Sequence, residues 1–144
     1  MSISSYRKGF TIIELIATVA IIGLLASIAI LKTRQSRDKA LRVSMIADLR
    51  TLVAAQEAFF SSNKDYAGGI AGKEVAGIGG AGKAALAASN GAAIVVRYRA
   101  TNGWSATATN SRMVTAPKTC GVFIGPIAYS PNAAVTREGV PTCY

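Results

Sequence analysis

Between Gly9 and Leu31 the chain reads GFTIIELIATVAIIGLLASIAIL, an apolar run with one ionisable side chain, Glu14. A hydrocarbon core about 30 Å thick needs roughly 20 apolar residues in a helix, and Phe10 to Leu31 meets that length. Past Leu31 the apolar positions thin to a stripe: Leu41, Met45, Leu49, Leu52, Val53, Phe59 and Phe60 recur at spacings of three and four, flanked by Arg42, Asp48, Arg50 and Glu57. No Gly or Pro falls between Gly23 and Gly68, so nothing breaks a helix there. One helix is predicted from Phe10 to about Ser62, roughly 80 Å long at 1.5 Å per residue. Its first half is apolar on every side, and its second half is amphipathic and needs a partner. Ser61-Ser62-Asn63 ends it, and Asp65-Tyr66 begins a loop.

From Ala93 the period changes to two. Ile94, Val96 and Tyr98 alternate with Val95, Arg97 and Arg99, which puts Arg97 and Arg99 on one face and Tyr98 on the other. Thr101-Asn102-Gly103 gives a turn, and Trp104 to Thr109 alternates again, a hairpin pattern. Asn110-Ser111-Arg112 makes a second break, and Thr119 to Ile124 reads as a third strand ended by Gly125-Pro126. The remainder, with Pro131, Asn132, Gly139 and Pro141, reads mostly as loop. A sheet of three or four antiparallel strands needs a cover on its apolar face. The amphipathic helix supplies it, with Leu49, Leu52 and Phe59 meeting Ile94, Val96 and Trp104 or Val122. The predicted class is α+β: a long N-terminal helix packed on a 3–4-stranded antiparallel sheet.

Residues 67–93 are rich in Gly and Ala and read as a flexible connection with a short helical turn at Lys83 to Ser89. Gly77, Gly79 and Gly82 spell G-x-G-x-x-G, and Gly77 to Lys83 spells the start of a phosphate-loop motif. Ala84 stands where that motif needs a Ser or Thr hydroxyl for Mg²⁺, and no apolar strand precedes Gly77. Both matches are of the kind a glycine-rich segment produces by chance, and they imply no cofactor.

Composition narrows the chemistry. The 144 residues have a mean hydropathy of +0.35 and a formal charge of +9, from 16 basic and 7 acidic side chains and no His. The length of chain beyond Leu31 is enough for one small domain. Without His, metal sites and general acid–base chemistry lack their usual residue. The acids sit apart along the helix and in separate loops, so no catalytic or metal-binding set is read and an enzyme is not expected. Cys120 and Cys143 are spaced far outside a Cys-x-x-Cys pattern and do not form a zinc site.

Three readings of the apolar run compete. A plain anchor leaves Glu14 unexplained, since a carboxylate at membrane depth costs on the order of 2.5–3.5 kcal/mol on the insertion scale. A secretory signal peptide takes Arg7 and Lys8 as its basic region, Leu15 to Ala26 as its apolar region and Ser27-Ile28-Ala29 as its cleavage site, against which Glu14 argues. The third rests on a likeness. Lys8-Gly9-Phe10-Thr11-Ile12-Ile13-Glu14-Leu15 resembles the N-terminal signature of type IV pilins and of the related pseudopilins of type II secretion. The likeness joins a short basic leader, Gly-Phe, a glutamate four residues after the Phe and an apolar run. It implies cleavage after Gly9 by a prepilin peptidase and N-methylation of Phe10. It further implies assembly into a homo-oligomeric helical filament in which Glu14 meets the Phe10 amine of a neighbouring subunit, on an inner-membrane assembly platform.

The same resemblance orders the chain: leader 1–9, membrane and assembly helix 10–31, amphipathic helix 32–62, connecting loop 63–93, and a sheet with a C-terminal disulfide loop over 94–144. In an exported domain Cys120 and Cys143 read as that disulfide; in a cytosolic one they are two reduced thiols. A precursor in the bacterial inner membrane, then a filament at the cell surface, is the implied location. Charge counting points the other way: Lys32, Arg34, Arg37, Lys39 and Arg42 come after the run, and the positive-inside rule alone would place that side in the cytoplasm. Many pilins carry proline where this chain has Leu31, so less unwinding between Gly23 and Leu31 is expected here. The pilus subunit is the leading functional reading, with a secretion pseudopilin or a DNA-binding minor pilin as alternatives. The last draws on the eight basic residues after the helix, against three acids, and on Arg97 and Arg99 as phosphate contacts. A solvated basic face is the competing account of the same charges.

Overall fold

A computed structural model describes residues 9–71, 75–76 and 83–144, and for 69–71, 75–76 and 83–85 the backbone alone. Arg7 and Lys8 of the leader, and Gly77, Gly79 and Gly82 of the glycine motifs, lie outside the described residues. The chain divides into two compact units, Met1–Gln35 and Ser36–Tyr144. One long helix, α1 (Ile12–Asn63), begins in the first and ends in the second, and it passes Gly23 and Leu31 without a break.

In the first unit α1 buries nothing. Ile12, Leu15, Val19, Ile22, Leu25 and Leu31 are all more than half exposed. This stretch is long and apolar enough to cross a membrane. Thr18, Ser27 and Thr33 each donate a hydroxyl hydrogen bond to the carbonyl three or four residues earlier, so these polar side chains are satisfied within the helix.

In the second unit the remainder of α1 covers a five-stranded sheet. The strands of this unit are β1 (Gly69–Ala71), β2 (Val75–Ala76), β3 (Lys83–Ala85), β4 (Ala92–Ala100), β5 (Gly103–Asn110), β6 (Thr119–Ile124) and β7 (Thr142–Cys143). The sheet order is β2-β4-β5-β6-β7, with β4 to β7 antiparallel and β2 added in parallel at the β4 edge. β1 and β3 form a separate parallel pair. The helical turn expected at Lys83–Ser89 is therefore wrong. Lys83–Ala85 is extended and pairs with Gly69–Ala71, so strand pairing over a distance wins over the local helix preference of alanine.

The core lies between α1 and the sheet. Leu41, Met45, Leu49 and Leu52 follow one helix face and pack with Ile94, Val96, Trp104, Ala106 and Val122. Val53, Phe59 and Phe60 are half-buried at its margin. The helix ends at Asn63, whose side-chain amide donates to the Phe59 carbonyl. Lys64 turns left-handed at φ 58°, and its N–H reaches the Phe60 carbonyl at 2.8 Å.

The β4–β5 hairpin closes over Thr101-Asn102, with Ala100 paired to Gly103. A Cβ on Gly103 would strike the Ile124 carbonyl of β6, so a side chain there would break the pairing of β5 and β6 at its start. The segment after β6 covers the other face of the sheet. It holds a short 3₁₀ turn, Ile127–Tyr129, and returns as β7, in which Cys143 stands directly opposite Cys120. The two are joined as a disulfide.

Candidate functional site

The residues around the predicted cleavage point precede α1. Gly9, Phe10 and Thr11 are non-helical and exposed, Phe10 to 83%. A Cβ on Gly9 would meet nothing within 4 Å, so packing inside this chain does not require glycine there.

Thr11 and Glu14 start the helix together. The Thr11 N–H and hydroxyl both donate to Glu14 Oε2 at 3.0 Å, and the Glu14 N–H donates to Thr11 Oγ1 at 3.3 Å. This is a capping box, in which residues three apart satisfy each other's orphan donors. Sequence reasoning missed it, although Thr-x-x-Glu before an apolar run is the signal that could have found it. The carboxylate also sits in the first turn, where the positive end of the helix dipole favours an anion. Both bonds from Thr11 fall on Oε2; among the described residues Oε1 accepts none. Phe10 and Glu14 thus stand at the same exposed helix end.

Further along α1, four polar side chains hold loops, among them Arg42 and Asp48, which the sequence placed beside the apolar stripe. Asp38 is buried, and one oxygen accepts the Val114 N–H at 3.1 Å and both the N–H and hydroxyl of Thr115 at 2.7 Å. The Thr115 hydroxyl, then its N–H, hold the Asp38 carboxyl below its ordinary value, against the effect of burial. One turn on, Arg42 donates to the carbonyls of Ala116 and Pro117 at 2.9 and 3.0 Å and to the Thr115 hydroxyl at 3.0 Å. Asp48 accepts the N–H and hydroxyl of Ser89, and the Gln56 amide both donates to and accepts from the Ala67 backbone. These four residues fix the β5–β6 loop, the entry to β4 and the chain after the helix.

Arg97 and Arg99 do not share a face, contrary to the strict alternation. The register pairs Val96 with Ala106 but Tyr98 with Ser105, so Arg97 is the extra residue of a β-bulge. Arg97 bonds the Thr107 hydroxyl at 3.0 Å, and Tyr98 lies on the same side of the sheet as Arg97, its ring 4.3 Å from that of Tyr129. Arg99 pairs with Trp104 and turns toward the core side, donating to the Tyr66 carbonyl at 3.0 Å and lying 3.2 Å from the Asp65 carboxylate. Among the described residues no three His, Cys, Asp or Glu side chains gather as a metal site would need.

The chain carries a prepilin-type N-terminus: residues 4–30 match the family model of the prokaryotic N-terminal methylation motif. It is also similar to the type IV major pilin protein PilA of Myxococcus xanthus (strain DK1622), at 40% identity over 60 residues. That alignment takes in 42% of this chain and 27% of the relative's length. Both matches cover less than half of the chain, and the motif match falls on the stretch that holds Gly9, Phe10 and Glu14.

Proposed function

We propose that the chain is a structural subunit of a bacterial type IV pilus, made as an inner-membrane precursor, cleaved after Gly9, methylated on Phe10 and polymerised through its N-terminal helix. The observation that carries this reading is the state of Glu14: an acid at the exposed head of a long apolar run, with one oxygen held by Thr11 and the other without a partner among the described residues. Between packed helices that oxygen needs a cation. The amine that cleavage creates on Phe10 of a neighbouring subunit supplies one, and an opposite charge at contact distance offsets part of the desolvation cost. The remaining apolar side chains then pack helix against helix. The M. xanthus relative is by its name a major pilin, which favours the pilus over the secretion pseudopilin.

The capping box makes the test sharper, because cap and charge come apart. Glu14→Gln keeps a residue that serves at this capping position but removes the charge. Thr11→Val keeps the charge and loses the hydroxyl, a capping loss of about 1 kcal/mol at the helix start. Glu14→Gln is expected to insert, to be cleaved after Gly9 and to yield few sheared filaments, while Thr11→Val yields filaments near the parent level. Normal filament yield from Glu14→Gln refutes the charge pairing. A mature mass that does not begin at Phe10 refutes the processing.

A further inference from the structure

We propose that residues 32–39 of α1 form a basic girdle that binds the phosphate groups of anionic phospholipids at the membrane surface where the apolar run ends. Lys32, Arg34, Arg37 and Lys39 are all exposed, and none joins an ion pair among the described residues. The one acid among them, Asp38, is 2% exposed, its carboxylate spent on Val114 and Thr115. The segment therefore shows four positive charges to its surroundings and hides the single negative one.

Geometry chooses among polyanions. At about 100° per residue, Lys32 and Lys39 fall roughly 20° apart on one side of the helix, and Arg34 and Arg37 roughly 60° apart on the opposite side. Cations on opposite sides of a rod suit a ring of headgroups around it; a duplex or a folded acidic partner touches one side. The eight positions rise about 12 Å at 1.5 Å each and begin directly after Leu31, so they run through the interfacial layer of about 5–7 Å outside the hydrocarbon core and just beyond it. Long Lys and Arg stems lie along the helix while their charges reach the phosphates. The girdle also gives a purpose to charges that run against the positive-inside pattern. They set the depth of the folded unit at the membrane surface and resist withdrawal of the subunit from anionic lipid.

The inference rests on the membrane-spanning reading of residues 10–31 and not on polymerisation, and the experiment keeps these apart. The full chain and a K32Q/R34Q/R37Q/K39Q variant are placed in nanodiscs of phosphatidylcholine and phosphatidylglycerol. Flotation checks insertion, and association of spin-labelled analogues of each lipid is compared. Arg7 and Lys8 are present in both proteins, so the difference reports the girdle. Each basic residue is worth roughly a fivefold change in lipid association when fully engaged. The parent protein should prefer phosphatidylglycerol several-fold, the variant should lose most of that preference, and 1 M salt should abolish it. Equal association of the two lipids with the inserted parent, or a preference undiminished in the variant, overturns the proposal. So does capture of a DNA duplex through these four residues without any lipid preference. Failure of the parent to float with the discs would instead overturn the membrane-spanning reading.

Discussion

Asp38 comes seven positions after the apolar run, yet its charge serves the folded unit rather than the surface. Its three hydrogen bonds from Val114 and Thr115 favour the ionised form, so its folded pKa lies below the ordinary 3.8. A carboxyl whose pKa falls on folding stabilises the fold fully above its unfolded pKa, and loses that contribution as pH drops through the folded value. Asp38→Asn should therefore be less stable than the parent at pH 7, with the gap closing below about pH 4. Urea unfolding followed by the single, buried Trp104 measures it, and a gap that ignores pH would show that Asp38 acts through shape alone. Gln56 has no charge to lose, but both ends of its amide are committed to Ala67 in a fully buried place. Gln56→Leu keeps the volume and orphans the Ala67 N–H and carbonyl, an expected loss of about 2–4 kcal/mol in the same titration. A loss under about 0.5 kcal/mol would mean that the loop after the helix re-pairs elsewhere.

At the level of elements, the features legible in the sequence were those that repeat. The unbroken helix, the stripe Leu41–Met45–Leu49–Leu52, the hairpin and β6 all came from periodicity, because a buried face writes its period into the chain. The disulfide came from two cysteines in an exported setting. Irregular features stayed hidden for physical reasons. One extra residue at Arg97 leaves the composition of β4 unchanged while moving Arg99 and Tyr98 to opposite faces from those expected. The inward turn of Asp38, Asp48 and Gln56 depends on loops that arrive from 11 to 77 positions away. Two-residue β7 is too short to show alternation, and its place is fixed by Cys143 facing Cys120 across the β6 edge. That staple closes a loop of 23 positions, which in the chain-entropy model stabilises the fold by about 3 kcal/mol. Replacing both cysteines by alanine should lower the unfolding free energy of the second unit by that order and leave membrane insertion untouched. An unchanged urea midpoint would mean that packing of the C-terminal segment over Gly121 is enough by itself.

For the whole molecule, the two units divide the labour: residues 9–35 bury nothing within one chain, while Ser36–Tyr144 carries its own core. A chain that leaves so much apolar helix uncovered owes that surface to lipid first and, in the proposed filament, to other copies. The pairing of Glu14 with a neighbour's amine then has a consequence that no single-chain role for Glu14 shares. Each copy brings one carboxylate and one Phe10 amine, so an interior subunit takes part in two pairings. A Glu14→Gln subunit loses the pairing it makes with its own carboxylate but still offers its amine to a parental neighbour. Alone it should polymerise poorly. Co-expressed with untagged parent, an epitope-tagged Glu14→Gln subunit should enter filaments at a reduced but measurable share, and the ratio of that share to its share of expression should fall as the parent is diluted. If Glu14 acted only within its own chain, the variant would be excluded to the same degree whatever the proportion of parent. Quantifying tagged and untagged peptides in sheared filaments across a series of expression ratios separates the two, and a flat incorporation ratio would rule out pairing between subunits.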